Sequence, residues 1–281
     1  MGRITTRRRV TRIRGDGHIV RRPDTLAVEE PLEIRVGGQS LVVTMRTPGN
    51  DVELAAGFLI SEGVLTTADD LVTARYCAGA DADGANTYNV LDLVLASHVA
   101  PPAPELARSF TTTSACGVCG KDSIAAISTR SSFTVADDPL TVDVATLLTF
   151  PDLLRDHQNV FDKTGGLHAA ALFDGRTGEP VVVREDVGRH NAVDKVIGWA
   201  LTQGLLPLRG HILQVSGRAS FELVQKAVMA GIPMLSAVSA PSSLAADLAD
   251  NAGLTLLGFV RGDSLVAYTH EERLVTTTAA R

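Results

Sequence analysis

Three cysteines occur in the 281 residues, and two of them, Cys116 and Cys119, lie two residues apart in Ser114-Ala-Cys-Gly-Val-Cys-Gly-Lys-Asp122. Glycine and small hydroxyl residues surround them and leave little apolar surface to bury, so the segment reads as an exposed, mobile loop. Asp122 or Ser123 would cap a short helix through Ile124 and Ile127, which puts the thiols at a helix N-terminus beside Lys121. Both neighbours favour thiolate over thiol, and the thiolate is the form that attacks or carries sulfur. A structural zinc site would want a second ligand pair, but the third cysteine, Cys77, has no Cys or His at metal spacing. A thioredoxin-type motif follows the first strand of a βαβ unit near a chain start, whereas this one falls mid-chain after Pro101-Pro-Ala-Pro104. No resident metal is expected, and an activated thiol loop accounts for these residues better than two inert buried cysteines.

A second constellation lies downstream. From Thr141 onward, apolar strand patterns alternate with helical patterns of ten to fifteen residues, which predicts a mostly parallel sheet with right-handed crossovers. The strands end in polar, glycine-rich turns: Glu185–Asn191, Ser216–Ser220 and Ser239–Ser243, with Arg261-Gly-Asp263 before a short return strand. In an open parallel sheet such turns share the edge where ligands bind. Serines and free N–H groups at helix starts suit an anion, Arg189, Arg218 and Arg261 supply charge of the right sign, and glycines let backbone approach closely. Ordinary helix capping would explain any single turn. Three together with arginines point to a phosphate-bearing ligand.

These elements divide the chain into an arm over residues 1–22, a smaller mixed α/β domain over 23–108, a cysteine loop and linker over 109–140, and the α/β domain over 141–281. The 45% hydrophobic content suits a soluble α/β protein, and no apolar run reaches the ~18 residues that span a bilayer. No secretory leader is visible and the odd cysteine count suggests no disulfide framework, so a reducing cytoplasm is expected. The first 22 residues hold eight Arg and one Asp, a charge of +7, and the net −6 therefore leaves −13 on the remainder. The arm reads as flexible and solvated, or equally as a contact to an acidic partner protein. Nucleic acid is not expected, because no basic fold face or aromatic platform accompanies it.

The chain resembles the formate dehydrogenase accessory sulfurtransferases, the FdhD family, over nearly its whole length. The resemblance rests on Ser114-Ala-Cys-Gly-Val-Cys-Gly120, Thr164-Gly-Gly-Leu-His-Ala-Ala170, Arg184–Lys195, Ser216-Gly-Arg-Ala-Ser220, Ser236–Pro241 and Leu257-Gly-Phe-Val-Arg261. It implies a cytidine-deaminase-like C-terminal domain and a sulfur carrier between a cysteine desulfurase and the molybdenum (or tungsten) bis-guanine-dinucleotide molybdopterin cofactor of apo-formate dehydrogenase. Cys116 matches the persulfide-bearing cysteine and Cys119 its motif partner. Phe259, Val260, Arg261, Gly262, Asp263 and Ser264 align with a cofactor-binding segment in which only Phe259 and Arg261 match the familiar pattern. A guanine nucleotide would occupy the same site, and a homodimer is implied.

A zinc-dependent deaminase is excluded by residues: His168 is followed by Ala169-Ala170 rather than x-Glu, and no cysteine follows Cys119. His168 and His190 remain pocket-lining candidates. The other readings are a chaperone that holds the cofactor without transferring sulfur, against which the loop cysteines speak, and a thiol–disulfide oxidoreductase.

Overall fold

The computed structural model describes residues 3–77, 88–102 and 131–276. The Cys116–Cys119 loop lies outside them; Cys77, within them, is free and half-buried.

The Arg-rich N-terminus forms an antiparallel hairpin, β1 (Thr5–Ile13) with β2 (Ile19–Ala27), where sequence reading expected a flexible arm. Residues 5–13 mix Thr and Val with Arg, and Gly15-Asp-Gly17 supplies the turn, so strand and turn propensity outweigh charge repulsion. A four-stranded sheet follows, ordered β4 (Gln39–Arg46), β3 (Glu30–Val36), β6 (Val90–Leu95), β5 (Leu71–Tyr76). Helix α1 (Asp51–Ser61) follows β4. Its N-cap, Asn50, is left-handed and makes no side-chain cap, while the Asp51 carboxylate accepts from the Gly49 N–H and from Arg46.

After the short strand β7 (Val142–Asp143), the second sheet contains β8 (His168–Asp174), β9 (Pro180–Asp186), β10 (His211–Val215), β11 (Met234–Ala237), β12 (Thr255–Arg261) and β13 (Ser264–Thr269), in the order β13-β12-β11-β10-β8-β9. It is a mixed sheet, not the mostly parallel one expected: only β10–β11 and β11–β12 pair in parallel. The physical reason is two tight turns, at Gly175–Gly178 and Gly262-Asp263, because so short a connection joins only antiparallel strands. With β8 and β13 reversed, β9 to β12 still run the same way, so the turns after them share one edge.

Helix α2 (Val144–Asp156), capped by Asp143, covers one face of this sheet, where Phe150 stacks on Phe173 with centroids 3.9 Å apart. Helix α3 (Phe161–Thr164) is a single turn. Helices α4 (Arg189–Thr202), α5 (Phe221–Met229) and α6 (Ser243–Ala252) lie on the other face.

The domains expected at 23–108 and 141–281 share one apolar core. Leu32, Ile34, Leu54 and Leu91 belong to the same cluster as Val193, Ile197, Leu213 and Leu235. The junction is the crossing of α1 and α4, where a Cβ on Gly57 would overlap the Asp194 carbonyl and one on Gly198 the Glu53 carbonyl. Residues 131–140, expected as linker, are held against the second sheet: Arg273 donates to the Val135 and Ala136 carbonyls, and Asp138 accepts from the Gly210 N–H.

Candidate functional site at the sheet edge

The turn after β9 illustrates how much polar chemistry the fold itself consumes. Arg184 forms a two-bond ion pair with Glu53 of α1, at 2.6 and 2.8 Å. Glu185 accepts from the Val160 and Phe161 N–H groups at the start of α3. Asp186, fully buried, accepts from the N–H groups of Thr47 and Gly188 and from the Asn191 amide, and pairs with Lys195 at 2.7 Å. Asp194 meets Lys226 through both carboxylate oxygens and accepts from Ser61. Burial pushes the Asp194 carboxyl up, while the bound Lys226 and Ser61 draw it back. Most of Arg184–Lys195 therefore ties β9 and α4 to the N-terminal half.

Arg189 is the exception. It stands at the first position of α4, and its buried Nε has no hydrogen-bond partner among the described residues. A buried guanidinium donor left unpaired is costly unless a ligand completes it. Beside it, His190 Nε2 lies 2.9 Å from Glu222 Oε2 and 3.3 Å from Ser220 Oγ. Burial would raise the Glu222 carboxyl, but the His190 contact together with the nearby Lys226 and Arg189 outweighs it and holds the group below the usual carboxylate range. His168 shifts down because it is half-buried and stands near Arg189 and His190, so the neutral ring is favoured.

The four turns are stitched into one row. His190 and Ser220 join the first to the second. Ala219 bridges to Pro241 and accepts from the Ser242 N–H, joining the second to the third. The Phe259 N–H donates to the Ser239 carbonyl at 3.3 Å, joining the third to the fourth. Ser242 is spent as the cap of α6, and Ser216 accepts from the Ala169 N–H. Ser220 is not: it occupies the N-cap of α5 but makes no side-chain cap bond.

Phe259 has a left-handed backbone, φ 51°, at an irregularity between Gly258 and Arg261 in the β12–β13 ladder. A bulky residue there costs of order 1–3 kcal/mol, and such strain gathers at functional sites. The Arg261 guanidinium stands over the Phe259 ring at 5.6 Å. Val260 is buried in the core, whereas Arg261, Gly262, Asp263 and Ser264 form the exposed turn. Arg218 is exposed on the second turn.

A cleft of about 450 Å³ opens at this edge, with His168, Val187, Ser216 and Val238 on the sheet side and Leu154 and Arg155 on the α2 side. Val187 and Ser216 belong to two expected turns and Val238 immediately precedes the third. The predicted Arg189, Arg218 and 259–264 do not line it; they stand along the same edge. Sequence reading missed the α2 wall, whose amphipathic pattern announced only a packed helix, and Glu222, a lone carboxylate in a helix first turn. Among the described residues, no group of three or more His, Cys, Asp or Glu could hold a metal, and no helix is long and apolar enough to cross a membrane.

Fold and edge define an α/β protein with a cleft at the sheet edge along which four strand-end turns stand in a row. The FdhD/NarQ family model matches residues 27–275, and the chain belongs to that family. Its relatives include the sulfur carrier protein FdhD of Mycolicibacterium paratuberculosis, 60% identical over 271 residues, covering 96% of this chain and 99% of the relative. The protein of the same name from Streptomyces avermitilis is 59% identical over 281 residues, covering 100% and 99%. The fold matches the crystal structure of a protein described as a formate dehydrogenase accessory protein from Desulfotalea psychrophila, with a TM-score of 0.73, 22% identity, and 97% and 100% coverage.

Proposed function

We propose that the chain is a cytoplasmic sulfur carrier for formate dehydrogenase, a sulfurtransferase working through a persulfide on Cys116. The supporting observation is full-length identity of about 60% to proteins named sulfur carriers, in a chain that carries Cys116-Gly-Val-Cys119. In the proposed reaction the Cys116 thiolate attacks the outer sulfur of a cysteine desulfurase persulfide, and the desulfurase cysteine leaves as thiolate. The Cys116 persulfide then delivers that sulfur to the molybdenum bis-guanine-dinucleotide cofactor destined for the apoenzyme. If the metal centre accepts neutral sulfur and is oxidised by two electrons, Cys116 returns as thiolate. If it accepts sulfide, the Cys119 thiolate attacks the Cys116 sulfur, sulfide leaves to the metal, and the Cys116–Cys119 disulfide is reopened by a dithiol reductant.

The sheet edge is the proposed seat of that cofactor, or of a guanine nucleotide in its place. The unpartnered Arg189 Nε, the uncapped start of α5 and the strained Phe259 fit a phosphate-bearing ligand, with Arg218 and Phe259–Ser264 beside it. We read the sheet as cytidine-deaminase-like in outline with that enzyme's metal chemistry absent, and the assembly as a homodimer. The test is Cys116→Ala in cells lacking their own copy. Loss of formate dehydrogenase activity is expected; full activity would leave a cofactor-holding chaperone as the function.

A further inference from the structure

The hairpin of β1 and β2 takes no part in either sheet. Its foot is fixed to the body: the Val28 N–H donates to the Ile4 carbonyl, and the Ile4 side chain lies by Gly49. The base of β2 also packs on α3, and from that foot to the tip the paired strands run nine residues each, about 27 Å at strand rise. Every residue from Thr11 to Asp24 is exposed.

Cross-strand register decides what each face offers. One face carries Arg7, Arg9 and Arg21; the other carries Arg8, Arg12 and Arg22. At the tip Ile13 and Ile19 stand directly opposite each other, 69% and 61% exposed. A two-stranded hairpin alone in water is marginal, and a tip of paired isoleucines ringed by arginines leaves its apolar area unburied. Paired isoleucines beside arginines match a protein surface better than nucleic acid, since no aromatic platform accompanies the charge.

We propose that this hairpin is the arm by which one copy of the chain grips a second, its arginines meeting the acidic body and its isoleucine tip entering the interface. The occupant follows from charge: the hairpin, residues 5–27, holds seven Arg against Asp16 and Asp24, a charge of +5, and the remainder of the same chain −11. In a two-fold dimer each arm finds the other's body, so the complementarity counts twice. The inference deepens the homodimer proposed above by naming the surface that makes it.

The experiment is light scattering on the full chain at about 20 µM in low salt and in about 1 M salt, where screening falls to ~3 Å. Wild type is expected at twice the 29.6 kDa chain mass, dissociating in high salt. Arg12→Glu/Arg21→Glu and, separately, Ile13→Ser/Ile19→Ser are expected to weaken the dimer at least about tenfold, with the circular dichroism spectrum unchanged because every altered residue is exposed in the single chain. A dimer that survives both variants overturns the arm and leaves the homodimer standing. A wild-type monomer overturns both, as does a monomer that binds duplex DNA through the same arginines.

Discussion

Lys195→Met should destabilise the protein by about 3–5 kcal/mol, because it leaves Asp186 buried without its counter-charge. Lys195 and Asp186 are 2% and 0% exposed and 2.7 Å apart, so neither solvent nor another cation compensates. Lys195 Nζ also donates to the Thr47 and Glu185 carbonyls, which lose their donor. Three N–H groups still face Asp186, but they are dipoles rather than charges and offset only part of the loss. A chain of 281 residues has an unfolding entropy of about 0.6 kcal/mol/K, so the midpoint should fall by about 5–8 °C. Scanning calorimetry with urea titration measures it. Adding Asp186→Asn to Lys195→Met removes the stranded charge and should recover at least about 1 kcal/mol. A single-variant loss below about 1 kcal/mol, or a double variant weaker than the sum of its singles, would refute the claim that this pair locks the two halves together.

Gly198→Ala forces a methyl into the Glu53 carbonyl at the α1–α4 crossing and should cost at least about 3 kcal/mol, read as a lower urea midpoint. Asp70 accepts from the Thr66 and Thr67 N–H groups, the Thr66 hydroxyl and His98, which together overcome burial and hold its carboxyl well below the usual range. A depressed acid contributes stability above its unfolded value, near 3.9, and loses it as pH falls through the folded one. Asp70→Ala should therefore cost about 2–3 kcal/mol at pH 7, with the gap to wild type narrowing on unfolding curves taken near pH 3. Arg189→Ala should weaken guanosine diphosphate binding about 10- to 100-fold by calorimetry, the loss of one charge-assisted bond, and a change under twofold would remove Arg189 from the site.

Much of this fold was legible because its second half obeys local rules. The turns read at Glu185–Asn191, Ser216–Ser220 and Ser239–Ser243 open α4, α5 and α6, as the alternation of strand and helix patterns indicates. What local rules do not report is partnership. Gly57 and Gly198 are ordinary helix glycines in sequence, and only the crossing of α1 and α4 shows why no side chain fits there. Asp186 and Lys195 read as turn polarity and prove to be a buried pair. The same limit governs the site: serines at 216, 220 and 242 look alike, yet two are spent on backbone and Ser220 faces His190. The Arg-rich start forms paired strands because the Thr, Val and Ile among its arginines favour strand strongly enough to outweigh their mutual repulsion.

The central claim is that Cys116 carries sulfur, and intact-protein mass spectrometry after incubation with a cysteine desulfurase and cysteine tests it most directly. A reducible gain of about 32 Da, mapped to Cys116 and absent from Cys116→Ala, is the predicted result. No added sulfur in a chain that still binds guanosine diphosphate would contradict it.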